Sequence, residues 1–149
     1  MKPFKFKLQT PLDIAERQEQ LAREELLACI TERDKIQQEL KWNVSRLERM
    51  KQLIREYTEK HSSLQRVLLI KEFIPVLTKL IINIEDRLNL AEQEVERARG
   101  VLLERTKETK TLNKLHEKEW QLYLQEWNRE EQKLVDEIAI TGHFRKSLS

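Results

Sequence analysis

The chain has 149 residues, enough for one domain, with 36% charged and 6% aromatic residues, two glycines and three prolines. Richness in Glu, Lys, Arg, Leu and Gln is the bias of long helices, and so few turn-forming residues exclude a globule of many short elements. The 28 basic and 26 acidic side chains alternate along the chain and leave a net charge of +2, which argues against a dedicated nucleic-acid face.

The first ten residues are basic but lack the continuous apolar run of a signal peptide. Thr10-Pro11-Leu12-Asp13 predicts a helix start: the threonine hydroxyl can cap, proline suits the first helical position, and the acid favours the positive helix end. A heptad seam follows. One set of positions holds Leu12, Glu19, Leu26, Arg33, Leu40, Leu47, Ile54 and His61; the other holds Ala15, Ala22, Cys29, Ile36, Asn43, Met50, Tyr57 and Leu64. Twelve of these sixteen positions are apolar, and the 3,4 spacing is that of a coiled coil. Cys29, the single cysteine, lies on this stripe and reads as a small packed hydrophobe.

The seam weakens near Lys60-His61-Ser62-Ser63, and Pro75 should interrupt a helix by removing a hydrogen bond and crowding the preceding turn. Residues 60–76 are therefore expected to form the turn region, with room for one short helix from Leu64 to Phe73. A second seam runs Ile74, Leu77, Ile81, Ile84, Leu88, Ala91, Val95, Ala98, Leu102, Arg105, Thr109 and Leu112. It then shifts through His116 to Trp120, Leu124, Trp127, Leu134 and Ile138, a stutter that locally unwinds a supercoil. Gly100 reads as a tolerated mid-helix residue or a flexible point, and Gly142 as a helix stop. The apolar stretch from Phe73 to Ile84 is broken by polar residues and is too short to span a bilayer.

The predicted fold is all-α: two long helices in an antiparallel coiled-coil hairpin, a single domain over residues 1–149 with arms of about 11–61 and 76–141, a short extended N-terminal segment and a flexible C-terminal segment. The second arm is longer by about 15 residues, on the order of 22 Å. Its turns after Trp127 should project past the start of the first arm, leaving Trp127, Leu134 and Ile138 uncovered, which favours a partner there. Around the hairpin end Val76, Leu77, Leu80, Ile81, Ile82 and Ile84 occupy more of the helix than one seam needs. Either the short helix before Pro75 covers the excess, or it docks a partner together with Met50, Leu53 and Tyr57.

Chemistry is not expected. His116 opens a His-Glu pair, but Trp120 stands where a zinc site of that type needs its second histidine. Gly100 and Gly142 stand alone, so there is no phosphate-binding loop, and no serine or cysteine has a nucleophile signature. The chain reads as a non-enzyme with no cofactor and no metal.

Phe4-x-Phe6-x-Leu8-Gln9-Thr10-x-Leu12-Asp13, followed by a helix rich in Glu, Ala and Leu, resembles the opening of the flagellar export protein FliJ family. Length, the two-arm pattern and the run Phe73, Leu77, Ile81 agree with it. The resemblance implies a fold like the rotary ATPase gamma-subunit stalk and a place in the flagellar type III export apparatus. Its implied partners are the export ATPase hexamer and its regulator, the cytosolic domain of the export gate, and export chaperones that the family escorts. Carried onto this chain, the gate-binding residues would be Met50, Leu53, Tyr57, Phe73, Leu77, Leu80 and Ile84. Those entering the ATPase ring would be Leu12, Trp120, Trp127, Leu134 and Ile138. Such a protein would be cytoplasmic, held at the membrane's cytoplasmic face by its partners, and monomeric when free. Three other readings stay open: a parallel dimer registered by Asn43, a generic coiled-coil tether, and a membrane or RNA binder using Lys2, Lys5, Lys7 and His143 to Lys146.

Overall fold

Apolar side chains spaced three and four apart make one stripe along a helix, and that stripe needs a facing stripe to leave water. The computed structural model, which describes residues 1–60 and 64–148, meets this need with two helices: α1, Gln9–Glu59, and α2, Leu64–Leu148. Among the described residues there is no strand. The fold class is the all-α helical hairpin expected from the sequence. The chain divides into two compact units, Leu21–Leu103 and the pair Met1–Gln20 with Glu104–Ser149.

In the unit Leu21–Leu103, α1 and α2 run antiparallel. Glu39 receives a 2.8 Å contact from Arg87, and Glu25 a 3.6 Å contact from Arg97, so partners rise in number along α2 as they fall along α1. These pairs are exposed and each contributes less than about 1 kcal/mol, so they mark the register more than they hold it. The core holds it. Ala22, Ile36, Val67, Leu77, Ile81, Ile84, Val95 and Ala98 are buried, and all but Val67 are predicted seam residues. Within the predicted first seam from Leu12 to Tyr57 no residue is exposed, Glu19 and Arg33 included. Leu64 departs from the seam and is exposed, because it opens α2 instead of closing α1.

Asn43 is the polar exception in this core. It is buried, its Nδ2 donates to the Glu39 carbonyl at 2.8 Å, and its Oδ1 has no donor. The residue is therefore buried within the single chain, at a predicted seam position.

The turn is narrower than residues 60–76. α1 ends at Glu59, with the Lys60 N–H donating to the Glu56 carbonyl, and α2 has already begun at Leu64. The expectations for His61, Ser62 and Ser63 lie outside the described residues. No separate Leu64–Phe73 helix folds over the apolar excess, because those residues are the first turns of α2, which passes through Pro75. Pro75 and Lys71 are both exposed, so water can serve the Lys71 carbonyl that loses its N–H donor. α2 also passes Gly142 and ends at Leu148, so the segment after residue 141, expected to be flexible, is helical. A Cβ at Gly100 or Gly142 would meet nothing within 4 Å, and neither glycine is in the left-handed region that would stop a helix.

In the other unit, the start of α1 pairs with α2 from Glu104 onward, again antiparallel. Arg105 Nη1 donates to Gln18 Oε1 at 2.8 Å, and Leu12, Ala15 and Thr109 are buried. α1 starts at Gln9, one residue before the expected cap. A turn at Lys7-Leu8 lets the Gln9 N–H donate to the Phe6 carbonyl, and Pro11 sits in the first turn, where its missing N–H is no loss.

Candidate protein-docking surfaces

The eight residues before α1 do not trail free. The alternation in Phe4-Lys5-Phe6 places both rings on one side of an extended segment, and that side lies on α2. Phe6 is buried and meets His116 edge-on at 4.9 Å. Phe4 sits among His116, Trp120 and Tyr123 at 5.5, 5.1 and 5.4 Å. Tyr123 Oη donates to the Lys2 carbonyl at 2.9 Å and ties down the start of the segment. Edge-to-face rings contribute about 0.5–1.5 kcal/mol per pair beyond the area they bury. His116 is thus a packing residue.

This clasp covers α2 through Tyr123, and beyond it Met1 borders a shallow groove with Trp127, Glu130, Glu131 and Leu134. From Gln125 to Leu148 every residue is exposed. Trp127, tilted against Tyr123 at 6.3 Å, is 38% exposed; Leu134 and Ile138 reach 58% and 64%. Val135, Ile140 and Phe144 add further apolar surface. Of the residues assigned to the ATPase ring, Trp127, Leu134 and Ile138 share this uncovered tail. Trp120 is half-buried under the clasp, and Leu12, on the seam, is buried and has no surface to offer.

The second surface lies in the unit Leu21–Leu103, near the hairpin end. Leu80 and Leu53 are exposed, and Met50, Tyr57 and Phe73 are half-buried. Leu77 and Ile84 are almost wholly buried, because they fall on the 3,4 seam that packs α2 on α1, and neither can touch a partner. A docking role contracts to Phe73 and Leu80 on α2, joined by Val76, also exposed, and to Met50, Leu53 and Tyr57 on α1.

Sequence reasoning missed one feature at this surface. Trp42 is 59% exposed, and the Arg46 guanidinium lies over its ring at 5.4 Å and over the Phe73 ring at 4.9 Å. Trp and Arg four residues apart share a helix face, which is the signal that could have found it. Along the same α1, Cys29 is half-buried, and its Sγ lies 3.8 Å from Glu25 Oε1. Burial, followed by the negative charge of Glu25, pushes its thiol above the ordinary range. That suits packing and opposes nucleophilic chemistry.

Among the described residues no group of three or more His, Cys, Asp or Glu is placed to hold a metal ion, and no helix is long and apolar enough to cross a membrane. A family model described as "Flagellar FliJ protein" matches residues 4–148. The chain belongs to the FliJ family. Membership places it in the flagellar export apparatus as a non-catalytic component. No curated protein and no solved structure matches it. The matched span takes in Phe4 and Phe6 of the clasp, both helices and the whole uncovered tail, so both docking surfaces lie within this FliJ-family chain's matched region.

Proposed function

We propose that the chain is an adaptor of flagellar type III protein export, acting as a single coiled-coil domain at the cytoplasmic face of the membrane. Its tail enters the export ATPase ring, beside that enzyme's regulator, and its hairpin-end patch meets the cytosolic domain of the export gate. It escorts export chaperones between them. The likeness to the rotary ATPase stalk belongs to this proposal. Binding at the ring shifts ATPase activity only if the tail contacts one state of the ring better than another.

The observation that carries the reading is the uncovered apolar run Trp127, Leu134 and Ile138, on a helix whose preceding turns are covered. Surface of this kind marks interaction sites. The test is ATP hydrolysis by the same organism's export ATPase with the full chain and with its Leu134→Asp/Ile138→Asp variant. The reading predicts stimulation by the first and none by the second, with equal helicity in both. No stimulation by the unaltered chain, under conditions where the ATPase forms its ring, leaves a generic coiled-coil tether as the better account.

A further inference from the structure

Arg46 has two ring contacts and no ion pair among the described residues, although α1 and α2 are rich in acids. The contrast with its neighbours is sharp. Arg87 and Arg97 in the same unit each take a carboxylate of α1, and Arg97 takes a second from Glu94. Arg46 is instead half-buried between an indole and a phenyl ring, one from each helix. A guanidinium lying on ring faces keeps its edge N–H groups in a fixed fork, and that fork matches a carboxylate. The entropy of ordering the side chain has already been lost in the free protein, which raises what a bound carboxylate gains.

The surroundings repeat the preference. Arg49 follows one turn on along the same side of α1, and Leu53 lies beyond it, with Phe73, Val76 and Leu80 on α2. Arg49 likewise has no ion pair among the described residues. The surface is therefore apolar with two cations on its α1 side, Arg49 sharing a shallow depression with Leu53 and Glu56, and its centre has the Trp, Arg and aromatic make-up of binding hot spots.

We propose that Trp42, Arg46 and Phe73 form a carboxylate-reading anchor, which docks an amphipathic helix of the partner carrying an acidic residue beside its apolar face. The charge complementarity is with Arg46 and Arg49, and the apolar side chains seat on Phe73, Val76 and Leu80. This deepens the gate-patch reading and rests on it only for the identity of the partner. Arg46 gives that patch polarity: an apolar helix flanked by lysines is rejected where the same helix flanked by glutamates is accepted.

The experiment titrates the full chain with the export gate's cytosolic domain, using the unaltered protein, Arg46→Glu, Arg46→Lys and Leu80→Asp, each checked by thermal melting. The expected result is at least about a tenfold loss of affinity for Arg46→Glu, a smaller loss for Arg46→Lys, and melting within a few degrees of the parent. A merely structural brace would lower the melting temperature and leave affinity alone. If Leu80→Asp abolishes binding and Arg46→Glu binds as the parent does, the gate reading stands and the carboxylate anchor is overturned.

If the gate domain does not bind the unaltered chain, the gate reading fails, and a pair of probes decides the anchor independently. These are a 20-residue amphipathic helix with glutamates flanking a leucine face and its lysine counterpart, followed at the Trp42 indole N–H by NMR. A shift with the glutamate peptide alone supports the anchor. Equal shifts with both, or none with either, overturn it.

Discussion

Ile84 and Ile138 lie on the same helix and occupy the same kind of position on its apolar stripe, yet one is 0% exposed and the other 64%. Around Ile84 the facing stripe of α1 closes the seam. Around Ile138 the chain supplies neither α1 nor the clasp, and every residue from Gln125 to Leu148 is exposed. Side-chain type does not decide which of the two holds the fold, since both are isoleucine. The facing segment decides. A helical stretch with seam residues and no facing segment is built for something outside the chain, whereas the same residues under cover are structural.

The sharpest way to break this comparison is to truncate both. Ile84→Ala should cost about 2–5 kcal/mol of stability in urea unfolding followed by circular dichroism, whereas Ile138→Ala should stay within about 0.5 kcal/mol. Equal costs would mean that the tail is covered in the free protein. The clasp comes next. Phe4→Ala/Phe6→Ala removes two rings from His116, Trp120 and Tyr123, and should cost about 2 kcal/mol or more in the unit that contains them. Faster amide exchange should appear between residues 112 and 124, with that of residues 21–103 unchanged; no change anywhere would mean the segment is not docked.

Asn43→Leu is expected to act in the opposite direction. It removes a buried Oδ1 with no donor, so stability should rise by about 1 kcal/mol, read as a higher urea midpoint. A loss would mean that Asn43 has a partner in solution. Cys29 gives the smallest effect. Its raised thiol pKa predicts alkylation by iodoacetamide at pH 8 slower than that of a free cysteine, recovering as the pH passes above the ordinary thiol range. The raised value also fixes the sign of the linkage. The folded state holds this proton longer, so the contribution to stability is complete below the ordinary thiol pKa and is lost as pH rises through the folded one. Replacement by serine should flatten that alkaline decline.

Much of the fold was legible because a seam is periodic. Leu12, Ala15, Ala22 and Ile36 on α1, with Leu77 to Ala98 on α2, follow from 3,4 spacing alone, and the half-buried Trp120 and Leu124 from the four-residue steps after Leu112. Pro75 and Gly142 were misread because local propensity is a weak vote against a long helix, and an exposed position tolerates either residue. The clasp was hidden for a different reason. Phe4 and Phe6 belong to no helix, and nothing periodic says which distant rings they will meet, although their alternation does show that they share one side. The docking surfaces were legible in outline as apolar excess. Their membership was not: Leu77 and Ile84 look like the excess and are seam, while Trp42 and Arg46 look like ordinary exposed helix and stand over Phe73.

The most direct measurement is hydrogen exchange on the full chain, alone and with the export ATPase ring. The account predicts fast exchange over residues 125–148 in the free protein, slow exchange at the Leu77 to Ala98 seam, and new protection confined to 125–148 when the ring is added. Protection of the tail in the free protein, or a ring complex that leaves the tail exchanging freely, would contradict the claim that this end of α2 is kept uncovered for a partner.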